Sequence, residues 1–243
     1  MKAFLLAAGH GTRLRPLTNQ LPKCLMPIRG VPILGIWLEI CRRTGITEVL
    51  VNLHAHAELV REYVEENANG VTVHLSNERV LLGSAGTLLA NRAWVEGEDC
   101  FWVLYGDVLT TADLRRMLHF HRARLTAATL GVYQVPDPTR CGIVTADENL
   151  VVREFVEKPE SPSSNWAFSG LLIGTCELLH AIPPKPPSDL GFDVLPRLAG
   201  QMSAYRLSEY VQDIGTMENY QAAENNWPGF LSPEQAYASS DHF

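Results

Sequence analysis

The chain opens with an apolar run, Ala3 to Ala8, that breaks into Gly9-His10-Gly11-Thr12-Arg13 and continues through Leu14-Arg15-Pro16-Leu17-Thr18 to Pro22-Lys23. An apolar run ending in closely spaced glycines predicts a buried strand that opens into a ligand loop, because glycine takes positive φ freely and lets a ligand reach bare backbone. Consecutive amide N–H groups in such a turn can converge on one anion. Arg13, Arg15 and Lys23 set fixed positive charge beside it. Pro16, Pro22, Pro27 and Pro32 forbid a continuous helix, so the stretch that follows reads as a long ordered loop. A dinucleotide fingerprint would need a third glycine where Leu14 stands, and a Walker A loop would end in Gly-Lys-Ser/Thr; neither pattern is present.

Downstream, helix and strand patterns alternate. Ile33 to Thr44 carries Leu34, Trp37, Leu38 and Cys41 at helical spacing, is preceded by Pro32 and stops at Gly45. Glu48 to Leu53 reads as a buried strand, Ala55 to Asn67 as a helix, and Val71 to Leu75 as a second strand. This alternation predicts right-handed βαβ crossovers and a mostly parallel sheet. Between Glu78 and Thr87 the small residues Gly83, Ser84, Ala85 and Gly86 offer either bare backbone for a flat base or a tight turn into a helix. Cys100 to Tyr105 is a further strand ending in Gly106-Asp107. A carboxylate there lies on the edge where open α/β sheets bind ligands, so Asp107 is a metal candidate or a turn residue.

Thr111 to Arg124, Cys176 to Ile182 and Phe192 to Ala199 read as helices, and Ala127 to Val135 as a strand. Gly142 to Ala146 and Val151 to Val156 form a hairpin around Asp147-Glu148-Asn149, which switches the pairing to antiparallel. It ends in Glu157-Lys158, an acceptor for sugar hydroxyls beside a cation for a phosphate, or else a solvated charge pair. Trp166 to Ile173 returns as a strand containing Ser169-Gly170, and Ser203 to Leu207 is an edge strand. Asp213-Ile214-Gly215-Thr216 leads into a last helix ending at Asn226, with Asp213 a second acidic metal candidate or a helix-start residue. Residues 227–243 show no periodicity and read as a mobile tail, leaving one domain over residues 1–226.

With 243 residues, 46% of them hydrophobic, the chain can bury a sizeable core. Its formal charge of −7 argues against nucleic acid or an anionic membrane as a partner. Cys24, Cys41, Cys100, Cys141 and Cys176 are scattered and odd in number, with no Cys-x-x-Cys pair, which points to a reducing cytoplasm. Cys24 beside Lys23 is a candidate for a lowered thiol pKa, and His54 with His56 a minimal zinc pair lacking a third ligand. No stretch approaches the roughly 18 apolar residues of a membrane span.

Together, the opening motif from Leu6 to Thr18 with Pro22-Lys23, the Gly83 segment, Asp107, Glu157-Lys158 and Asp213 to Thr216 resemble the sugar-1-phosphate nucleotidylyltransferases. The resemblance implies a Rossmann-like, three-layer α/β/α fold of the GT-A-like kind, with a mostly parallel mixed sheet and a small antiparallel hairpin on the sugar side. It further implies that Leu6, Ala7, Ala8, Gly9, Gly11, Thr12, Arg13 and Lys23 hold the nucleotide, with Glu78, Leu82, Gly83, Ser84 and Gly86 on the base side. Gly142, Glu157, Lys158 and Ser169 would hold the sugar phosphate, Asp107 and Asp213 a magnesium ion, and Arg13, Lys23 and Asp107 would be catalytic. The substrates implied are a nucleoside triphosphate and a sugar 1-phosphate, in a class compatible with a homo-oligomer. The Asp189 to Pro196 segment looks most like members using GTP with a mannose- or heptose-like sugar, whereas Phe168-Ser169-Gly170, where many relatives carry Asn, looks like a UTP and amino-sugar branch. A dTTP-dependent enzyme and a catalytically silent nucleotide-sugar sensor stand as further alternatives.

Overall fold

The structure is a computed structural model that describes residues 1–230 apart from His10 and Asn69. In chain order the elements are β1 (Lys2–Leu6), β2 (Pro27–Ile28), β3 (Val31–Pro32), α1 (Ile33–Thr44), β4 (Glu48–Leu53), α2 (Ala57–Asn67), β5 (Thr72–Asn77), α3 (Gly83–Ala90), β6 (Phe101–Tyr105) and β7 (Val108–Thr110). They continue with α4 (Leu114–Arg124), β8 (Ala128–Gln134), β9 (Gly142–Ala146), β10 (Val152–Glu157), β11 (Trp166–Gly174), α5 (Cys176–His180), β12 (Met202–Arg206), β13 (Val211–Asp213) and α6 (Met217–Asn226).

The main sheet runs β10-β9-β11-β6-β1-β4-β5, with β8 and then β12 attached beside β11. β6, β1, β4 and β5 are parallel neighbours. β11 pairs antiparallel with both β6 and β8, and the β9–β10 hairpin joins it at Ala167↔Ile143. The hairpin expected on the sugar side is thus an extension of the main sheet. β11 serves three partners, and its register with β8 breaks between Phe168 and Leu172, where Gly170 takes φ +80°. A Cβ on Gly170 would stand 2.9 Å from that of Tyr105, so only glycine fits this bend.

Successive residues of a strand face opposite sides of a sheet, and the core divides accordingly. Ala3, Leu5, Trp102 and Leu104 pack against α1, α2, α4 and α6 on one side. Phe4, Phe101 and Val103 pack against α3, α5 and the 190–198 turns on the other, completing the three layers. α1 ends as expected, at Gly45 in the left-handed conformation. α4 starts at Leu114 rather than Thr111 because the Asp113 carboxylate caps it, accepting the Arg115 amide.

Three expectations change. The proline-rich stretch is not a plain loop: it holds 3₁₀ turns at Thr12–Leu14, Leu17–Asn19 and Lys23–Leu25, and the short β2–β3 hairpin. The expected helix over 192–199 is a π turn, Leu190–Val194, followed by a 3₁₀ turn, Leu195–Leu198, because Asp189 caps the earlier start. Trp227 is buried and its ring lies 5.5 Å from that of Tyr210, so packed structure continues past the expected boundary at 226. The part of the expected tail from 231 onward lies outside the described residues. No helix among the described residues is long and apolar enough to cross a membrane.

Candidate active site

β1 is flanked by β4 on one side and β6 on the other, so the connection leaving β1 runs toward β4 while the one leaving β6 runs the other way, toward β8 and β11. Open α/β sheets carry a crevice at such a point. Here the two loops that form it touch directly: the Gly106 amide donates to the Leu6 carbonyl at 2.9 Å, and a Cβ on Gly106 would stand 2.9 Å from that oxygen. This contact sets Asp107 beside the glycine-rich loop that follows β1. Trp37 of α1 braces the same turn from beneath, its indole N–H donating to the Val108 carbonyl at 3.0 Å.

Around this crevice runs a cavity of about 390 Å³ lined by Leu6, Ala7, Ala8, Gly9, Gly11, Thr12, Arg13, Lys23, Glu78, Gly83, Ser84 and Asp107. Asn52, Tyr105, Gly106 and Gly215, which the sequence reading did not single out, line it too. A second cavity of similar size adjoins it across Ala7, Ala8, Gly9 and Lys23, reaching Arg15, His54 and His56. The Lys23 ammonium lies 2.8 Å from Asp107 Oδ2, a pair with only 10% and 34% of its side-chain surfaces exposed.

The amides of the loop divide into two sets. Ala7 and Ala8 donate to Asn52 Oδ1 and Gly9 to the Ala7 carbonyl, so these three are used by the fold. Among the described residues the Gly11, Thr12 and Arg13 amides have no acceptor, which leaves them available to an anion. Gly11 holds φ +60° while its carbonyl accepts the Thr18 hydroxyl at 2.7 Å, which pins the turn. Asn52 in turn donates to Glu78 Oε1 and Thr87 Oγ1, and Glu78 Oε2 accepts the Leu82 amide. Glu78 is therefore a buried brace between β4, the phosphate loop and the start of α3.

The small residues of α3 have a structural use as well. The Ser188 carbonyl accepts the Ala85 and Gly86 amides, and a Cβ on Gly83 would lie 2.3 Å from it. Leu82 and Gly86 face this docked 186–188 segment rather than the cavity. Ser84 donates to Asp189 Oδ2 at 2.8 Å. Burial, the Asp189 charge and the nearby Glu157 and Asp107 charges push the Tyr105 phenol up, so it stays protonated beside Ser84.

That chain of contacts leads to the second half of the site. The Glu157 carboxylate is wedged between two glycines: a Cβ on Gly142 or Gly191 would stand 2.7 or 2.5 Å from Oε2. Burial raises its pKa above the ordinary glutamate value, with Lys158 opposing and Asp189 adding to the rise. Lys158 lies 3.6 Å from Glu157 and keeps 57% of its side chain exposed. Ser169 does not face this group: it is buried, and its hydroxyl donates to the Gly131 carbonyl at 2.8 Å inside the β11 bend.

Asp213 sits on β13, paired to β7 one register step from Asp107, whose carbonyl accepts the Ile214 amide at 2.9 Å. Its Oδ1 accepts the Gly215 amide and the Asn219 side chain. A Cβ on Gly215 would stand 2.9 Å from both Arg13 Nη2 and Asp213 Oδ1, so this glycine lets the guanidinium lie beside the carboxylate. The thiol of Cys141 is pushed up by burial and by the charges of Asp213, Glu157 and Asp137, with Lys158 opposing. No group of three or more His, Cys, Asp or Glu side chains among the described residues forms a preassembled metal site. His54 directs Nδ1 to the Glu78 carbonyl, and burial drives the Cys24 thiol up to about 12, opposite to the lowering expected beside Lys23.

A family model described as Nucleotidyl transferase matches residues 2–228. The chain belongs to that family. As a nucleotidyl transferase family member it is 33% identical over 226 residues to the mannose-1-phosphate guanylyltransferase catalytic subunit beta of Xenopus tropicalis, and 33% over 227 residues to the probable mannose-1-phosphate guanylyltransferase 1 of rice, Oryza sativa subsp. japonica. These alignments cover 90% of the chain but 62% and 63% of the relatives' lengths. Among solved structures, HddC from Yersinia pseudotuberculosis superposes with a TM-score of 0.79 at 23% identity, covering 93% of this chain and 99% of that one. A UDP-glucose pyrophosphorylase in complex with UDP-glucose gives 0.82 at 21% identity, covering 93% and 97%. At these identities the likeness is one of fold.

Proposed function

We propose that this chain joins a sugar 1-phosphate to a nucleoside triphosphate, releasing pyrophosphate and a nucleotide-sugar. The observation that carries the reading is the single crevice in which the Gly11–Thr12 amides, Arg13 and the Lys23–Asp107 pair meet, with Glu157 and Lys158 linked to it through Ser84, Asp189 and Gly191. Arg13 and the loop amides hold the β- and γ-phosphates. Lys23 balances charge at the α-phosphate. Glu157 accepts sugar hydroxyls and Lys158 pairs with the sugar phosphate, so that one of its oxygens attacks the α-phosphorus in line as the bond to the β-phosphate oxygen breaks. A phosphate monoester is largely a dianion at neutral pH, so no general base and no covalent enzyme intermediate are required. Orientation and charge neutralisation carry the rate.

The donor set suits a magnesium ion: Asp107 Oδ1 and Asp213 Oδ2 accept no hydrogen bond among the described residues, and both carboxylates sit on neighbouring backbone joined by the Ile214 amide and the Asp107 carbonyl. Asp107 and Asp213 would hold the ion, whose chemistry is to neutralise triphosphate charge and polarise the α-phosphorus.

GTP with a mannose- or heptose-like 1-phosphate is the preferred pair, supported by the relatives named mannose-1-phosphate guanylyltransferase. The UTP and amino-sugar alternative drew on Phe168-Ser169-Gly170, and the Ser169 hydroxyl is committed to Gly131. Five free thiols support a reducing cytoplasm as the setting. The test is a matrix of nucleoside triphosphates against sugar 1-phosphates, read by pyrophosphate release with Mg²⁺. Release that needs both substrates and is fastest with GTP and a manno-configured sugar is expected. Nucleotide-sugar binding with no pyrophosphate from any pair would make the chain a silent sensor instead.

A further inference from the structure

Phe192 is the one aromatic side chain among the described residues that is largely exposed, at 60%. The fold does not use its ring: Leu190 and Val194 of the same turn are fully buried, and Phe192 lies between them on the outer side. Its backbone, by contrast, is held firmly. Asp189 Oδ1 accepts the Gly191 and Phe192 amides at 2.8 and 3.2 Å, Asp189 Oδ2 accepts the Ser84 hydroxyl, and Asp193 accepts the Asp189 amide at 2.7 Å. The turn is π-helical, a rare geometry found disproportionately at functional sites.

The position of the ring gives it a use. Gly191, its neighbour, is pressed against the Glu157 carboxylate, and the Lys158 ammonium lies 5.7 Å from the ring centroid. A pyranose presents hydroxyls at its rim and a patch of C–H groups on one face. A rigid aromatic face beside a carboxylate and an ammonium matches all three features of a sugar phosphate: C–H face, hydroxyls and phosphate.

We propose that Phe192 is a stacking platform for the pyranose ring of the sugar 1-phosphate, a specificity-determining contact that rests on the reading given under Proposed function. Sugars with an uninterrupted C–H face toward the ring are favoured over those that turn an axial hydroxyl into it. The competing role for the ring is to orient Lys158 by a cation–π contact, which would affect any phosphate equally.

Steady-state kinetics of wild type, Phe192→Ala and Phe192→Tyr separate the two, with inorganic phosphate as a competitive inhibitor against the sugar 1-phosphate. Phe192→Ala is expected to raise the sugar-phosphate KM by roughly threefold to tenfold, with the triphosphate KM and the phosphate inhibition constant changed by less than about twofold. Phe192→Tyr restores the wild-type KM. An unchanged sugar KM in Phe192→Ala, or an inhibition constant for phosphate that rises by the same factor, overturns the platform while leaving the proposed reaction intact. A wild-type chain that turns over no sugar 1-phosphate overturns the reaction itself, and the platform with it.

Discussion

Glu157 and Ser169 show how burial decides what a polar residue does. Both fall on strands of the antiparallel part of the sheet, but Ser169 spends its hydroxyl on the Gly131 carbonyl and supports the Leu171 amide, while Glu157 is walled in by glycine backbone with its carboxylate toward Lys158. Ser169→Ala should therefore lower stability by ~1–3 kcal/mol in urea unfolding and leave the sugar-phosphate KM unchanged. Glu157 has the opposite signature. Its folded pKa is raised, so the folded state holds this proton more tightly than the unfolded chain does. The cost of the buried charge is absent below the ordinary carboxylate range and sets in as pH rises through the folded value. Glu157→Gln should be more stable than wild type at neutral pH, with the difference vanishing on acidification, and should raise the sugar KM. In wild type that KM should climb as pH falls toward the raised value, earlier than an exposed glutamate would give. A KM profile flat through mild acid would remove Glu157 from the sugar site.

The elements whose signals are local were legible. α1 and β4 occupy the residues read from the sequence, because an apolar stripe ending at a left-handed glycine and a short buried run each carry their own boundaries. The hairpin and the terminal helix were read nearly as well. Of the candidate site, Lys23, Asp107, Arg13 and Glu157 are conspicuous in sequence because charge stands beside glycine or at a strand end. Asn52 and Tyr105 are not: an asparagine that organises two amides of the loop after β1 has no local pattern, and the contact role of Asp189, as distinct from its place in a recognisable segment, exists only once residues 186–189 fold onto α3. The glycine-rich segment allows either a base cradle or a tight helix entry in sequence, and the structure shows that its small residues also admit Ser188. Gly83→Ala tests that docking: with φ +78° and its Cβ position 2.3 Å from the Ser188 carbonyl, the variant should lose ~1–3 kcal/mol of stability. Weaker triphosphate binding should accompany it, since α3 borders the crevice.

On the scale of the whole molecule, one strand sets the plan. β1 lies between β4 and β6, sends Phe4 and Leu5 into opposite core layers, and releases the phosphate loop where the Gly106 turn meets it. The antiparallel extension through β11 then carries Glu157 and Lys158 to the same edge, and the β7–β13 pair carries Asp213 there. Under the proposed reading, groups from distant parts of the chain supply the two halves of one site at this sheet edge, the arrangement that in-line transfer between two phosphorylated substrates demands. The Lys23–Asp107 pair stands at the junction of those halves. The most direct measurement is pyrophosphate release from GTP and mannose 1-phosphate with Mg²⁺, comparing wild type with Lys23→Ala and Asp107→Ala. Turnover at least roughly a hundredfold lower in each variant, with unfolding midpoints close to wild type, is the expected result; release near the wild-type rate from either folded variant would contradict the placement of the reaction in this crevice.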